Sequence, residues 1–197
     1  WGSALGDRPG LVVMSKRLGK FQTMRDLIEK IPVDVCRYFF VTRGLSTHLD
    51  FDLTLALDQS KKNPVYYVQY ANARIHSIFR ECGQPPQGFA TGELATAVAG
   101  HAERAALFYW LMRFPELLQD IARNYEIQRL PEYLYQTATL FTSFYHGKGN
   151  RIKDLLQENP SHAQVLLSLC NLTTQVLETG LELLGISAPR EMHRDED

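Results

Sequence analysis

At 197 residues and 22.5 kDa, with 45% apolar residues, the chain can bury one sizeable core, which excludes wholesale disorder. A formal net charge of −1 excludes a protein that grips nucleic acid chiefly by bulk electrostatics and leaves a local basic face as the route open to it. Cys36, Cys82 and Cys170 are scattered and form no CxxC pair, so they read as reduced thiols of an intracellular protein, not as a disulfide or zinc framework.

Residues 1 to 22 are rich in Gly and hold no complete structural unit. Leu11 to Met14 is far too short to cross a bilayer, and no basic n-region with an apolar h-region opens the chain. A soluble, cytoplasmic protein is expected. Thr23-Met24-Arg25-Asp26 reads as a capping box, opening a short helix that runs to about Lys30 and that Pro32 ends. Asp34 to Thr42 is mostly apolar and compatible with a helix, whereas Leu49 to Leu57 mixes helical and extended signals. From Asn63 the pattern is helical almost to the end. Gly83 to Gly88, with Pro85-Pro86, reads as a loop. Thr91 caps a helix expected to run to about Arg113, Pro115 starts the next, and Leu130-Pro131 begins a further one that Gly147-Lys148-Gly149-Asn150 ends. Asn159-Pro160 is an N-cap followed by Pro at the first helical position, and the helix after it is expected to present Val165, Leu169, Leu172, Val176 and Leu183 near one side. The fold class is all-α, a helical bundle of about five main helices.

The most informative stretch is Pro64 to Arg80. At ~100° per residue, Val65, Val68, Ile75 and Phe79 form an apolar stripe, while Tyr67, Tyr70 and Arg74 point almost the opposite way. Two rings and a guanidinium on an outward face suit unpaired nucleobases, which stack on aromatic rings and on Arg. The same rings would equally serve as packing edges on a neighbouring helix. Asn72 falls within the apolar stripe and should be buried and hydrogen-bonded.

These residues also carry a resemblance. Val68-Gln69-Tyr70-Ala71-Asn72-Ala73-Arg74 resembles the signature that opens the anticodon-binding domain of arginyl-tRNA synthetases, a class I family. Tyr38-Phe39-Phe40 through Ser46-Thr47-His48-Leu49-Asp50-Phe51-Asp52-Leu53 resembles the segment before it. Leu134-Tyr135 through Phe141-Thr142-Ser143-Phe144-Tyr145 resembles the middle of the domain, and Leu184-Gly185-Ile186-Ser187-Ala188-Pro189 its closing motif. The ordered match runs from about Val12 to Met192. Asp34-Val35-Cys36-Arg37 is similar to the Asp-Ala-Leu-Arg tetrapeptide that names the domain, and one helical turn could pair Asp34 with Arg37.

The resemblance implies a C-terminal fragment in which residues 1–60 end a catalytic domain, with a signature loop and stem helices. Residues 61–189 would form the helical anticodon-binding domain and residues 190–197 an acidic tail. Met14-Ser15-Lys16-Arg17 is similar to the Lys-Met-Ser-Lys-Ser loop of class I synthetases, so Lys16, with Met14 and Ser15, is the expected partner of ATP phosphates. Val13 and Arg17 depart from that loop's first Lys and last Ser. Tyr67, Tyr70, Arg74 and Tyr145 match the positions that engage the anticodon arm, and Met192 the methionine that usually ends these enzymes. Here the chain continues with His193-Arg194-Asp195-Glu196-Asp197, whose acidic groups would repel phosphates. The parent would join L-arginine to tRNA(Arg) through an arginyl-adenylate, using ATP and Mg2+. This piece, lacking the His-Ile-Gly-His-like signature, should be inactive alone and bind no cofactor. The expected partner is tRNA(Arg), with no DNA, no membrane and a monomeric state.

The six histidines have no paired-ligand spacing, so no metal site is expected. Lys148, Arg151 and Lys153 form the densest basic stretch outside residues 64 to 80 and read as a solvated loop, or alternatively as a phosphate contact. Two rival readings accompany the main one: a helical protein-interaction module without RNA binding, and the anticodon-binding domain of another class I synthetase.

Overall fold

A computed structural model describes residues 23–44, 47, 51–83 and 91–192, without the side chains of 91–93 and 95. The Met14-Ser15-Lys16-Arg17 loop, most of the 45–50 segment, the Pro85-Pro86 loop and the acidic tail from His193 lie outside the described residues. Among the described residues there is no strand, and ten helices follow one another. They are α1 (Met24–Ile28), α2 (Val33–Val41), α3 (Leu53–Leu57), α4 (Pro64–Cys82) and α5 (Thr91–Val98). Then come α6 (Ala102–Met112), α7 (Phe114–Asn124), α8 (Arg129–His146), α9 (Ile152–Glu158) and α10 (Pro160–Leu183).

Local chemistry accounts for several boundaries. Thr23 and Asp26 bond reciprocally as a complete capping box on α1. Asn63 caps α4, accepting from the Val65 N–H, and its amide also donates to the Ala56 and Asp58 carbonyls, so the helix start is tied to the end of α3. Asn159 accepts from the His162 N–H ahead of Pro160. The stretch with mixed signals settles as the short α3, capped by Asp52. The single helix expected from Thr91 to Arg113 is instead two, because Gly100 takes φ +76 and turns the chain between α5 and α6.

The core lies where α4, α8 and α10 pack on one another, with α5, α6 and α9 completing its walls. Val65, Val68 and Ile75 are fully buried there and Phe79 nearly so, as the α4 periodicity predicts. On α10 the predicted stripe is displaced. Leu183 is 56% exposed and Val165 and Leu172 are only half-buried, while Leu166, Cys170, Thr173, Leu177 and Leu181 are completely enclosed. The reason is that α10 is packed by α4, α5, α8 and α9 from several sides, which widens its buried face beyond the narrow stripe assumed. Gly180 faces Leu134, where an added Cβ would lie 2.5 Å from a leucine methyl, so α8 and α10 approach closely at that level. The three cysteines are free.

The end of α10 is shaped by a Schellman turn. Gly185 takes φ +65, its N–H donates to Glu182 O at 2.8 Å, and the Ile186 N–H donates to Leu181 O at 2.9 Å. A side chain at Gly185 would also strike the Arg37 guanidinium, 2.9 Å from an ideal Cβ. This turn sends residues 186–192 back along α4.

Candidate nucleic-acid interface

Helix α4 carries three kinds of residue on three sides. One side is the apolar stripe in the core. The second bears Tyr67, Tyr70 and Arg74, all half-buried, facing α8 across a hollow of about 100 Å³. Tyr145, near the end of α8, lines the same hollow, as do Lys61 ahead of α4 and His146. A wider hollow of about 450 Å³ continues from it, sharing Tyr70 and Arg74 and reaching Ser77, Arg80 and Met192. Tyr67, Tyr70, Arg74, Tyr145 and Met192, far apart in sequence, therefore line two adjoining hollows. Lys16, Met14 and Ser15 lie outside the described residues.

The aromatic and cationic groups alternate. Lys61 Nζ lies 5.4 Å from the Tyr70 ring centre, the Arg74 guanidinium 5.4 Å from the same ring, and that guanidinium 5.6 Å from the Tyr145 ring. Arg74 Nη2 also donates to Tyr70 Oη at 2.5 Å. No carboxylate lies within 4 Å of Lys61 or Arg74 among the described residues, so both cations keep charge available to an anionic ligand. Tyr67 is held differently from a free outward ring. Its hydroxyl donates to Thr142 Oγ1 at 3.2 Å and its ring lies 5.2 Å from that of Tyr135, so the packing role foreseen as the alternative is partly realised. Tyr70 and Tyr145 line the same hollow, with Phe141 stacked behind Tyr145 at 6.1 Å.

The third side of α4 is polar and faces the closing segment. Gln69 Nε2 donates to Ser187 O at 2.9 Å. Asn72 is fully buried, as expected, donating to Pro189 O at 3.1 Å and accepting from Thr174 Oγ1. His76 contacts Glu178 at 2.9 Å, and Arg80 reaches both Arg190 O and the Glu191 carboxylate at 3.3 Å. Asp34 joins them, and here the expected pairing with Arg37 is corrected. Its carboxylate accepts from the Ser187 N–H at 3.1 Å, from the Ser187 hydroxyl and from Gln69, and no ion pair to Arg37 forms.

Lys148, Arg151 and Lys153 are exposed, but Lys153 belongs to α9 and not to a loop, and Arg151 is engaged with Asp154 at 3.4 Å. Lys61, His146, Arg80 and Glu191 are among the lining residues that sequence reasoning missed. The first two lie beyond the ends of α4 and α8 or at their last position, where a helical wheel gives no facing, and Arg80 lies one and a half turns past the signature. No group of three or more His, Cys, Asp or Glu side chains is placed to hold a metal ion among the described residues, and none of their helices is long and apolar enough to cross a membrane.

Residues 68–192 match the DALR anticodon binding domain, beginning inside α4 and ending at Met192. Over 188 residues the chain is 48% identical to the arginine–tRNA ligase of Leptospira interrogans, a match that covers 93% of this chain and 31% of that relative. Among solved structures, arginyl-tRNA synthetase from Plasmodium falciparum superposes with a TM-score of 0.66 at 25% identity, covering 84% of this chain and 28% of that one. The Thermus thermophilus arginyl-tRNA synthetase superposes with a TM-score of 0.64 at 28% identity, covering 90% and 29%. The chain thus spans about a third of the length of these relatives, and by its match over residues 68–192 it belongs to the DALR anticodon-binding domain family.

Proposed function

We propose that this chain is the tRNA-reading part of an arginine–tRNA ligase and that the α4/α8 hollow receives bases of the tRNA(Arg) anticodon loop. The observation that carries this reading is the convergence of Tyr70, Arg74, Tyr145 and Met192 on adjoining hollows, with no carboxylate within 4 Å of Lys61 or Arg74 among the described residues. Splayed bases stack on Tyr70 and Tyr145. Arg74 and Lys61 meet phosphate or a base edge, and Tyr67 backs the platform from its bond to Thr142. Residues 61–189 form the anticodon-binding unit, and residues 1–60 belong to the end of the catalytic part and its stem. Residues 190–197 make up the acidic tail, of which residues 190–192 run along α4.

The whole protein then joins L-arginine to tRNA(Arg), and ATP supplies the activation of the amino acid, with Mg2+ on its phosphates. Lys16, flanked by Met14 and Ser15, is the residue of this chain proposed to meet those phosphates, a mobile ammonium offsetting charge on the leaving pyrophosphate. The parent is proposed to act in the cytoplasm as a monomer.

The test is titration against arginine tRNA and an anticodon-swapped control at two salt concentrations. Preferential, salt-weakened binding is expected, because phosphate contacts release counterions. Tyr70→Ala should cost about 1–3 kcal/mol of affinity while the fold persists. Unchanged affinity in that variant would remove the assigned face, and salt-insensitive binding of protein in place of tRNA would favour the interaction-module reading.

A further inference from the structure

The polar side of α4 has no part in stacking bases, yet it is better satisfied than any other surface stripe of the helix. Gln69, Asn72 and Arg80 lie at i, i+3 and i+11, on one face, and each bonds the backbone of the closing segment at a successive place: Ser187 O, Pro189 O and Arg190 O. Glu178 of α10 holds Arg190 at 3.5 Å and is itself met by His76. At the near end, Ile186 is buried as an apolar anchor, and Asp34 takes up the Ser187 N–H and hydroxyl from the far side. Every residue from 186 to 191 except Ala188 thus has its own fixing contact to a side chain or to the core, and Ala188 shares the Asn72 amide at 3.5 Å. The segment then delivers Met192 to the wall of the hollow that also holds Tyr70 and Arg74.

We propose that this stripe is a strap that sets the position of Met192, and that Asp34 and Asn72 are positioning residues for anticodon discrimination although neither lines the hollows. The proposal rests on the interface reading above. Asp34 acts through Ser187 and Gln69, and Asn72 through the carbonyls of Ala188 and Pro189 together with Thr174. A single thioether has no charge to orient it, so its place beside the rings depends on the backbone that carries it.

The experiment uses the 197-residue chain with two readouts: the affinity ratio for arginine tRNA over an anticodon-swapped tRNA, and amide hydrogen exchange along residues 186–192. Wild type must first show a preference; if it shows none, the interface reading fails and the strap's role in discrimination fails with it. Given that preference, Asp34→Ala should speed exchange at Ser187 and beyond and lower the ratio about fivefold, the equivalent of one net hydrogen bond. Asp34→Asn, which keeps an acceptor oxygen for the Ser187 N–H, should restore part of both. Asn72→Ala should act in the same direction, and if its buried cavity unfolds the chain, Asp34→Ala still decides the matter because Asp34 is only half-buried. Faster exchange with an unchanged ratio would overturn the proposal, as would an Asp34→Ala chain unchanged in both.

Discussion

Two arginines, Arg74 on α4 and Arg104 on α6, teach opposite lessons. Neither has a carboxylate within 4 Å among the described residues. Arg104 on α6 is 1% exposed and saturated. Its Nε donates to Asn150 Oδ1 at 2.6 Å, Nη1 to Ala97 O at 3.1 Å and to His162 Nε2 at 2.8 Å, and Nη2 to Gly149 O at 3.0 Å. It is offset by carbonyl dipoles at the end of α5 and in the turn after α8, and so pins three segments together. Arg74 is half-buried, bonded among the described residues to a tyrosine hydroxyl and flanked by two rings. Without a carboxylate partner among the described residues, one guanidinium is saturated by carbonyl and amide oxygens and the other lies against two rings.

Substitution should separate the two. The largest effect is expected for Arg104→Met, which strands Asn150, two carbonyls and His162 in a dry site. Unfolding in urea should show a loss of about 3–5 kcal/mol, and a loss below ~1 kcal/mol would show that water reaches the hub. Arg74→Gln should leave stability within about 0.5 kcal/mol yet weaken tRNA binding and reduce the slope of log affinity against log salt by about one. Equal damage to stability would make Arg74 a second structural pin and erase the contrast.

The smallest effect is a pH dependence confined to the hub. His162 has its pKa lowered, first by burial, then by Arg104 and His101, because its Nε2 must stay unprotonated to accept from Arg104. The unfolded chain therefore binds that proton more readily than the folded one. The contribution is fully present above the ordinary imidazole range and is lost as pH falls through that range toward the lowered folded value. Melting temperatures measured between pH 8 and 5 should decline on acidification, and His162→Gln should flatten the decline; an unaltered decline would assign it to other groups.

The α4 face was legible in residues 64–80 because a long helix with an N-cap and Pro at its first turn fixes the facing of every side chain from periodicity alone. The same reasoning reached the burial of Asn72, since an amide within an apolar stripe has to find partners inside. It failed at Asp34 and Arg37, where proximity in sequence suggested a pair, because Ser187, 153 residues away, offered Asp34 two donors at once. It failed again on α10, whose partners on several sides bury more than one stripe, and it passed over Arg104, since a lone arginine on a helix gives no sign of burial.

The capped starts of α1, α4 and α10 and the apolar and outward faces of α4 were written locally, because caps and periodicity depend on a few adjacent residues. The meeting of Tyr145 and Met192 with Tyr70 and Arg74, the strap along α4 and the saturation of Arg104 were decided by tertiary packing alone. Each joins groups tens of residues apart, and whether a polar side chain is a binding group or a structural one depends on which carbonyls and rings the rest of the fold brings to it.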